Sequence, residues 1–335
     1  MQRMRRSIRV GTIGGAVLVA ATLAAHARHG TPDDADVQPW TPAGISSDRF
    51  ESHAAFDPRT GDLYFVRSAP DFSGWRILMS TCGAQGWTTP VPPPFAGPGL
   101  EADPFFSADG ATLYFISTRA TGATTSAALD IWRVDRDASG TWTAPQRLPE
   151  PVNSAAAEWF PRPSRDGWLY FGSGRAGGLG RTDIWRARER SGRWQVENLG
   201  PSINTAADEY EAMPSPDGTR LIVAAADGFY DARRSGDGWA PRVRLGPAIN
   251  VNGTEIGPLF SPSGRSLLFA RDGGGVLSGE FVLWRLVAGD DWPPACPPRR
   301  CTRVRLRSRS SGTSTPESVV QLTIAPPEPS AIRSP

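Results

Sequence analysis

Leu199-Gly200-Pro201-Ser202-Ile203-Asn204 leads through Glu209 to Ser215-Pro216-Asp217-Gly218 and Leu221-Ile222-Val223, and this stretch decides the fold because it recurs. Its opening phrase stands at the same spacing in Leu148, Val152-Asn153, Glu158 and in Leu245, Ile249-Asn250, Glu255. Each Glu is followed by a turn, in Ser164-Arg165-Asp166-Gly167, Ser215-Pro216-Asp217-Gly218 and Ser261-Pro262-Ser263-Gly264. Earlier copies run from Glu101 to Ser107-Ala108-Asp109-Gly110 and, one residue longer, from Glu51 to Gly61. Asp-Gly supplies the positive backbone angles of a tight antiparallel turn, and Ser and Asp side chains bond nearby amides.

An apolar run follows every turn: Leu63-Tyr64-Phe65, Leu113-Tyr114-Phe115, Leu169-Tyr170-Phe171, Leu221-Ile222-Val223 and Leu267-Leu268-Phe269. Short unbroken runs of this kind suit strands buried on both faces. A third strand is expected at Asp130-Ile131-Trp132-Arg133 and Asp183-Ile184-Trp185-Arg186, with looser versions at Trp75-Arg76 and Trp284-Arg285, while repeat four departs from the pattern with Gly228-Phe229-Tyr230, which leaves its third strand open. A fourth carries Trp87, Trp142, Trp194 or Trp239. The prediction is an all-β chain, a β-propeller of four-stranded antiparallel blades built from about five repeats of about 50 residues. The composition agrees, with 36 Gly, 32 Pro and twelve Trp describing many turns and many short buried segments.

These motifs resemble the WD-repeat-like propeller repeats of bacterial envelope proteins, the TolB-like kind. The matching elements are the Glu before the inner strand, Ser-Pro-Asp-Gly, Leu-Tyr-Phe, Gly177-Gly178-Leu179-Gly180 leading to Asp183-Ile184-Trp185, and Leu-Gly-Pro-x-Ile-Asn, over roughly residues 45 to 290. The resemblance implies a fold and not a reaction, because such repeats serve many functions.

Ring closure sets the blade number. Proline cannot donate to a central ladder, so Trp292-Pro293-Pro294 cuts short the outer strand of the last repeat. The stretch from about Val37 to Ile45 is placed to supply that strand, which gives five blades. Six, the alternative, would require a blade from the Arg-rich C-terminal segment, which has neither turn nor apolar run.

Arg3, Arg5, Arg6 and Arg9 precede an apolar run ending in Ala25-His26-Ala27, the layout of a secretory signal peptide over residues 1–27. This places the protein in the periplasm or outside the cell, with no transmembrane domain after cleavage. The propeller is expected over 31–294, and 295–335, rich in Pro, Arg and Ser, is expected to be disordered. Of three Cys, Cys296 and Cys301 are expected to pair, leaving Cys82 odd and buried. With both Arg-rich ends set aside, the body carries about eight net negative charges. An acidic body argues against nucleic acid as a partner.

Catalytic signals are sparse. His53 is the one His inside the repeats, too few for a triad or a multi-His metal site, and no cofactor fingerprint stands before a helix. Glu51, Glu101, Glu158, Glu209 and Glu255 occupy one equivalent position per blade. A group needed in every blade is a fastener, so they are read as a structural ring accepting backbone hydrogen bonds from the neighbouring blade. Asp103, Glu211 and His53 fall two residues later on the same strand face. The expected function is noncatalytic binding of a protein or cell-envelope component by a monomer, through Trp159, Phe160, Tyr210 and His53, with no cofactor. The alternatives are a glycosidase using Asp103 and Glu211 as its carboxylate pair, and a ring stabilised by a channel cation.

Overall fold

The computed structural model describes residues 36–120, 128–273 and 279–296, all strand, turn and loop without a helix. The signal-peptide segment and nearly all of the Arg-rich segment lie outside the described residues. Five antiparallel sheets form five blades, and each has its innermost strand where the repeated Glu begins it: Phe50–Phe56, Glu101–Phe106, Glu158–Pro163, Glu209–Pro214 and Ile256–Phe260. The apolar runs are the second strands, and Leu169–Ser173 is buried throughout, as a strand packed on both faces requires.

The third strands follow the motif. Gly228–Ser235, the position of the degenerate copy, forms an eight-residue strand paired with Arg220–Ala225 along its length. Outer strands vary more. Trp194 and Trp239 lie in outer strands, but Trp142 makes only an isolated bridge to Arg136, and Trp87 belongs to a small hairpin with Cys82. A strand at the rim is held by one neighbour and solvent, so the sequence constrains it least.

Aromatic and aliphatic side chains fill the spaces between blades. One cluster joins Tyr64, Phe106, Leu113, Phe115 and Trp132 of the first two blades, and another joins Tyr170, Ile184, Leu221 and Val223 of the third and fourth. Full burial of each such side chain contributes about 1.5–3 kcal/mol. The loops between blades are pinned by the repeated Asn. Asn153 receives the amide of Ile131 at 2.7 Å and donates to the same residue's carbonyl at 2.9 Å. Asn204 does the same to Ile184, and Asn250 to Phe229. Each loop is thereby fastened to the third strand of the blade it leaves.

Two features close the ring. Asp36–Pro39 is the outer strand of the last blade, pairing in register from Asp36 with Arg285 to Pro39 with Val282. The second corrects the cysteine expectation: Cys82 pairs with Cys296, across a Cα–Cα distance of 5.6 Å. The chain beyond the last blade turns back over the first, where Trp292 packs edge-on against Phe56 at 5.7 Å, and this brings Cys296 to the hairpin holding Cys82. Cys82 is accordingly half-buried and not enclosed. Cys301 lies outside the described residues.

A cross-link between residues 214 apart restricts nearly the whole unfolded chain. The Cys82→Ser variant is therefore expected to lose about 2–5 kcal/mol of stability in urea unfolding, with the native circular dichroism retained. Equal midpoints for variant and oxidised wild type would show that strand closure alone holds the ring.

Candidate functional site

The repeated Glu residues begin their inner strands, and their carboxylates turn back to the loop just traversed. Glu51, Glu158 and Glu209 each accept the amide and the hydroxyl of a Ser or Thr four residues earlier: Ser47, Ser154 and Thr205. Glu101 accepts the amide of Gly97, and Glu255 that of Val251 at 2.7 Å. Arg67, Arg119, Arg175 and Arg242 pair with the first four of these carboxylates. The amides thus come from the incoming loop of the same blade and not from a neighbouring sheet. The carboxylates are at most 1% exposed.

Just after each Glu the pairing of the inner strand slips, two residues on in four blades and at Tyr210, between Glu209 and Glu211, in blade four. His53, Asp103, Phe160 and Gly257 adopt left-handed φ angles of 50°, 57°, 52° and 64° there. Three of these are not glycine, and such backbone costs on the order of 1 kcal/mol each and concentrates at functional sites. Gly257 is required by space as well, since a Cβ would lie 2.8 Å from the His53 amide nitrogen.

The bulge aims His53, Asp103 and Glu211, from blades one, two and four, at one another across the axis. His53 Nε2 lies 3.7 Å from Asp103 Oδ1 and 3.8 Å from Glu211 Oε2, beyond direct hydrogen bonding, and has no partner. Its Nδ1 is 2.8 Å from Ser52 Oγ. Arg162 of blade three pairs with Glu211 and lies over the Phe105 ring at 4.9 Å. The amides of Phe160 and Gly257 donate to Asp103 at 3.2 Å and to Glu211 at 2.9 Å. All five blades therefore contribute to one axial cluster, and its four side chains are at most 3% exposed.

Burial governs the protonation of this cluster. Asp103 is pushed up to about 8, chiefly by desolvation, with Arg162 opposing and the Glu211 carboxylate adding to the shift. Desolvation also raises Glu211 against the pull of Arg162. His53 is held well below its ordinary value by burial and by the Arg162 charge. At neutral pH the imidazole is thus neutral and Asp103 protonated, so the His53–Asp103 contact is not an ion pair. Arg162 pairs with the other carboxylate, Glu211.

The chemistry available follows from access. Ser52, His53 and Asp103 lie in sequence like a relay, but the Ser52 hydroxyl is 0% exposed, out of reach of any substrate. Asp103 and His53 line a cavity of ≈ 60 Å³ with Trp75, Trp159 and Phe160, while Glu211 does not reach it. Among the described residues no group of three or more His, Cys, Asp or Glu is arranged to hold a metal ion. Arg162 supplies the cluster's guanidinium.

Above the cluster the aromatic candidates meet. Phe160 stacks on His53 at 5.1 Å and neighbours Trp159 at 6.2 Å and Tyr210 at 5.9 Å. Trp75 packs edge-on against Trp159, and Phe72 against Trp75. Phe72, Trp75, Trp159, Phe160 and Tyr210 are all partly exposed, so a continuous aromatic surface borders the channel at the end where the Glu residues lie. Sequence reading had assigned no channel role to Arg162, Ser52, Phe72 or Trp75. Arg162 was legible: the equivalent residues are Ala55, Phe105, Met213 and Leu259, and one charge in an apolar repeat position marks an exception. Phe72 lies in an irregular loop that no repeat predicts.

Comparison with known proteins adds fold neighbours. No protein-family model and no curated protein matches the chain. Among solved structures, a TolB-like protein from Agrobacterium tumefaciens is 17% identical with a TM-score of 0.44, over 67% of this chain and 71% of that one. A gluconolactonase from Xanthomonas campestris is 14% identical at 0.43, over 75% and 95%. An alpha-L-arabinanase from Penicillium chrysogenum is 14% identical at 0.42, over 68% and 72%. The chain is a five-bladed β-propeller.

The raised Asp103 carboxyl has a defined sign in stability. Between about pH 4 and 8 the folded protein binds a proton that the unfolded chain releases, so this group's contribution falls as pH rises, by up to about 1.4 kcal/mol per unit. Asp103→Asn removes the penalty. Denaturant unfolding at pH 5 and pH 8 is expected to show the variant gaining on wild type by at least about 1 kcal/mol at the higher pH; parallel pH curves would refute buried protonation.

Proposed function

We propose that the protein is an exported, noncatalytic propeller that binds a protein or cell-envelope component on its aromatic mouth. The observation that carries this reading is the surface running from Phe72 through Trp75, Trp159 and Phe160 to Tyr210, above an axis in which Glu211 is already paired with Arg162. Partly exposed Trp and Tyr give large, stiff contact area at low entropic cost and dominate binding energetics. Periplasmic or secreted placement is supported by the N-terminal sequence and by the Cys82–Cys296 bond, since disulfides persist in oxidising compartments. The WD-repeat-like, TolB-like character of the repeat motifs fits an envelope setting.

A carbohydrate-active enzyme is the second reading, favoured by one feature: Asp103, protonated near neutral pH, lines a cavity beside two Trp rings, as a general acid would. Against it, the partner carboxylate, Glu211, is tied to Arg162 and Gly257. A two-carboxylate mechanism needs the second group free to act on water or on the sugar.

Affinity capture from the source envelope with wild type and with a Trp159→Ala, Tyr210→Ala variant separates the readings. The variant is expected to bind an identified partner at least about 30-fold more weakly at an unchanged melting temperature. Glycan turnover that disappears in Asp103→Asn would establish the enzyme instead.

A further inference from the structure

The opposite end of the channel, where the inner strands finish and the turns begin, holds a second concavity that the aromatic mouth does not use. It encloses ≈ 240 Å³ and draws lining residues from all five blades. Phe105, Met213 and Leu259 come from the repeat position that Arg162 occupies in blade three, and Phe56, Phe260 and Trp292 stand above them. Trp292 belongs to the segment that the Cys82–Cys296 bond ties back over blade one, so this wall is fixed in place.

The polar groups around this funnel are nearly all engaged. The hydroxyls of Ser107 and Ser215 donate to Asp109 and Asp217 within their own turns, and that of Ser164 donates to the Trp168 carbonyl. Arg165 is the exception: it lines the funnel and is exposed, and among the described residues its guanidinium makes no hydrogen bond or ion pair. An apolar concavity with a single unmatched cation at its rim is complementary to an apolar body carrying one negative charge. The volume lies just below the range of about 300–1,000 Å³ usual for small-molecule sites, which limits that body to one ring or a short chain.

We propose that the turn-side funnel binds a small monocarboxylate, its aliphatic or aromatic body against Phe105, Met213 and Leu259 and its carboxylate on Arg165. The site shares no residue with the aromatic mouth and does not depend on that reading.

Isothermal titration of the oxidised protein with octanoate, and separately with octan-1-ol, tests it. Octanoate is expected to bind saturably at one site, about tenfold tighter than the alcohol. Arg165→Gln should remove that tenfold preference, and Ala108→Trp, at an exposed turn position lining the funnel, should abolish binding. Both are surface turn residues, so the fold is not at stake. Trp159→Ala should leave octanoate binding unchanged, which separates this site from the proposed mouth. Absence of saturable octanoate binding, equal affinities for acid and alcohol, or an Arg165→Gln variant that keeps the preference would each overturn the proposal.

Discussion

The carboxylate of the repeated Glu, accepting an amide from the loop four residues before it, is the interaction on which the rest of the architecture depends. It fixes where each inner strand begins, and in four blades a paired Arg compensates the buried charge. Removing one partner of such a pair leaves the other charged group without its counterpart in the interior, a cost that applies in those four blades. From that fixed start, the pairing slips within the next few residues in every blade. The side chains at the slip then have nowhere to go except the axis.

Five inner strands meeting at an axis leave little room, and the five bulge residues share it unequally. Gly257 yields the space, Phe160 turns into a stack, and His53, Asp103 and Glu211 place ionisable groups where water is excluded. The protein lives with this by holding one carboxyl neutral, keeping the imidazole uncharged and matching the remaining charge with Arg162. The buried axial cluster divides the channel into two concavities with different chemistry, one bordered by partly exposed aromatic rings and one apolar with Arg165 at its rim.

The fold was legible because it is periodic. Glu recurs in all five blades, and Asn and the Ser-x-Asp-Gly turn in three each, so spacing revealed strands and turns, while the proline stop after the last repeat pointed to closure by the N-terminal strand. The site was legible only in part. His53, Asp103 and Glu211 could be placed on one strand face, but their burial, and hence their protonation, depends on how five strands converge. The Cys82–Cys296 pairing depends on a return path of the chain past Trp292, which no local pattern encodes. Outer strands were least legible, since Trp87 and Trp142 find partners by packing and not by ladder position.

Closure by the first strand also orders events in time. Asp36–Pro39 has no partner until Gly279–Arg285 has been made, so it must wait for almost the whole chain. Long-range pairings of this kind slow folding and leave sheet edges open meanwhile. A truncated chain that stops before the last blade would leave Asp36–Pro39 without its ladder partner and uncover the faces of the first and fourth sheets that the last blade packs against. The sequence thus contains a completeness requirement: an unfinished product is marked by an unpaired first strand and bare sheet faces, which the closed ring hides.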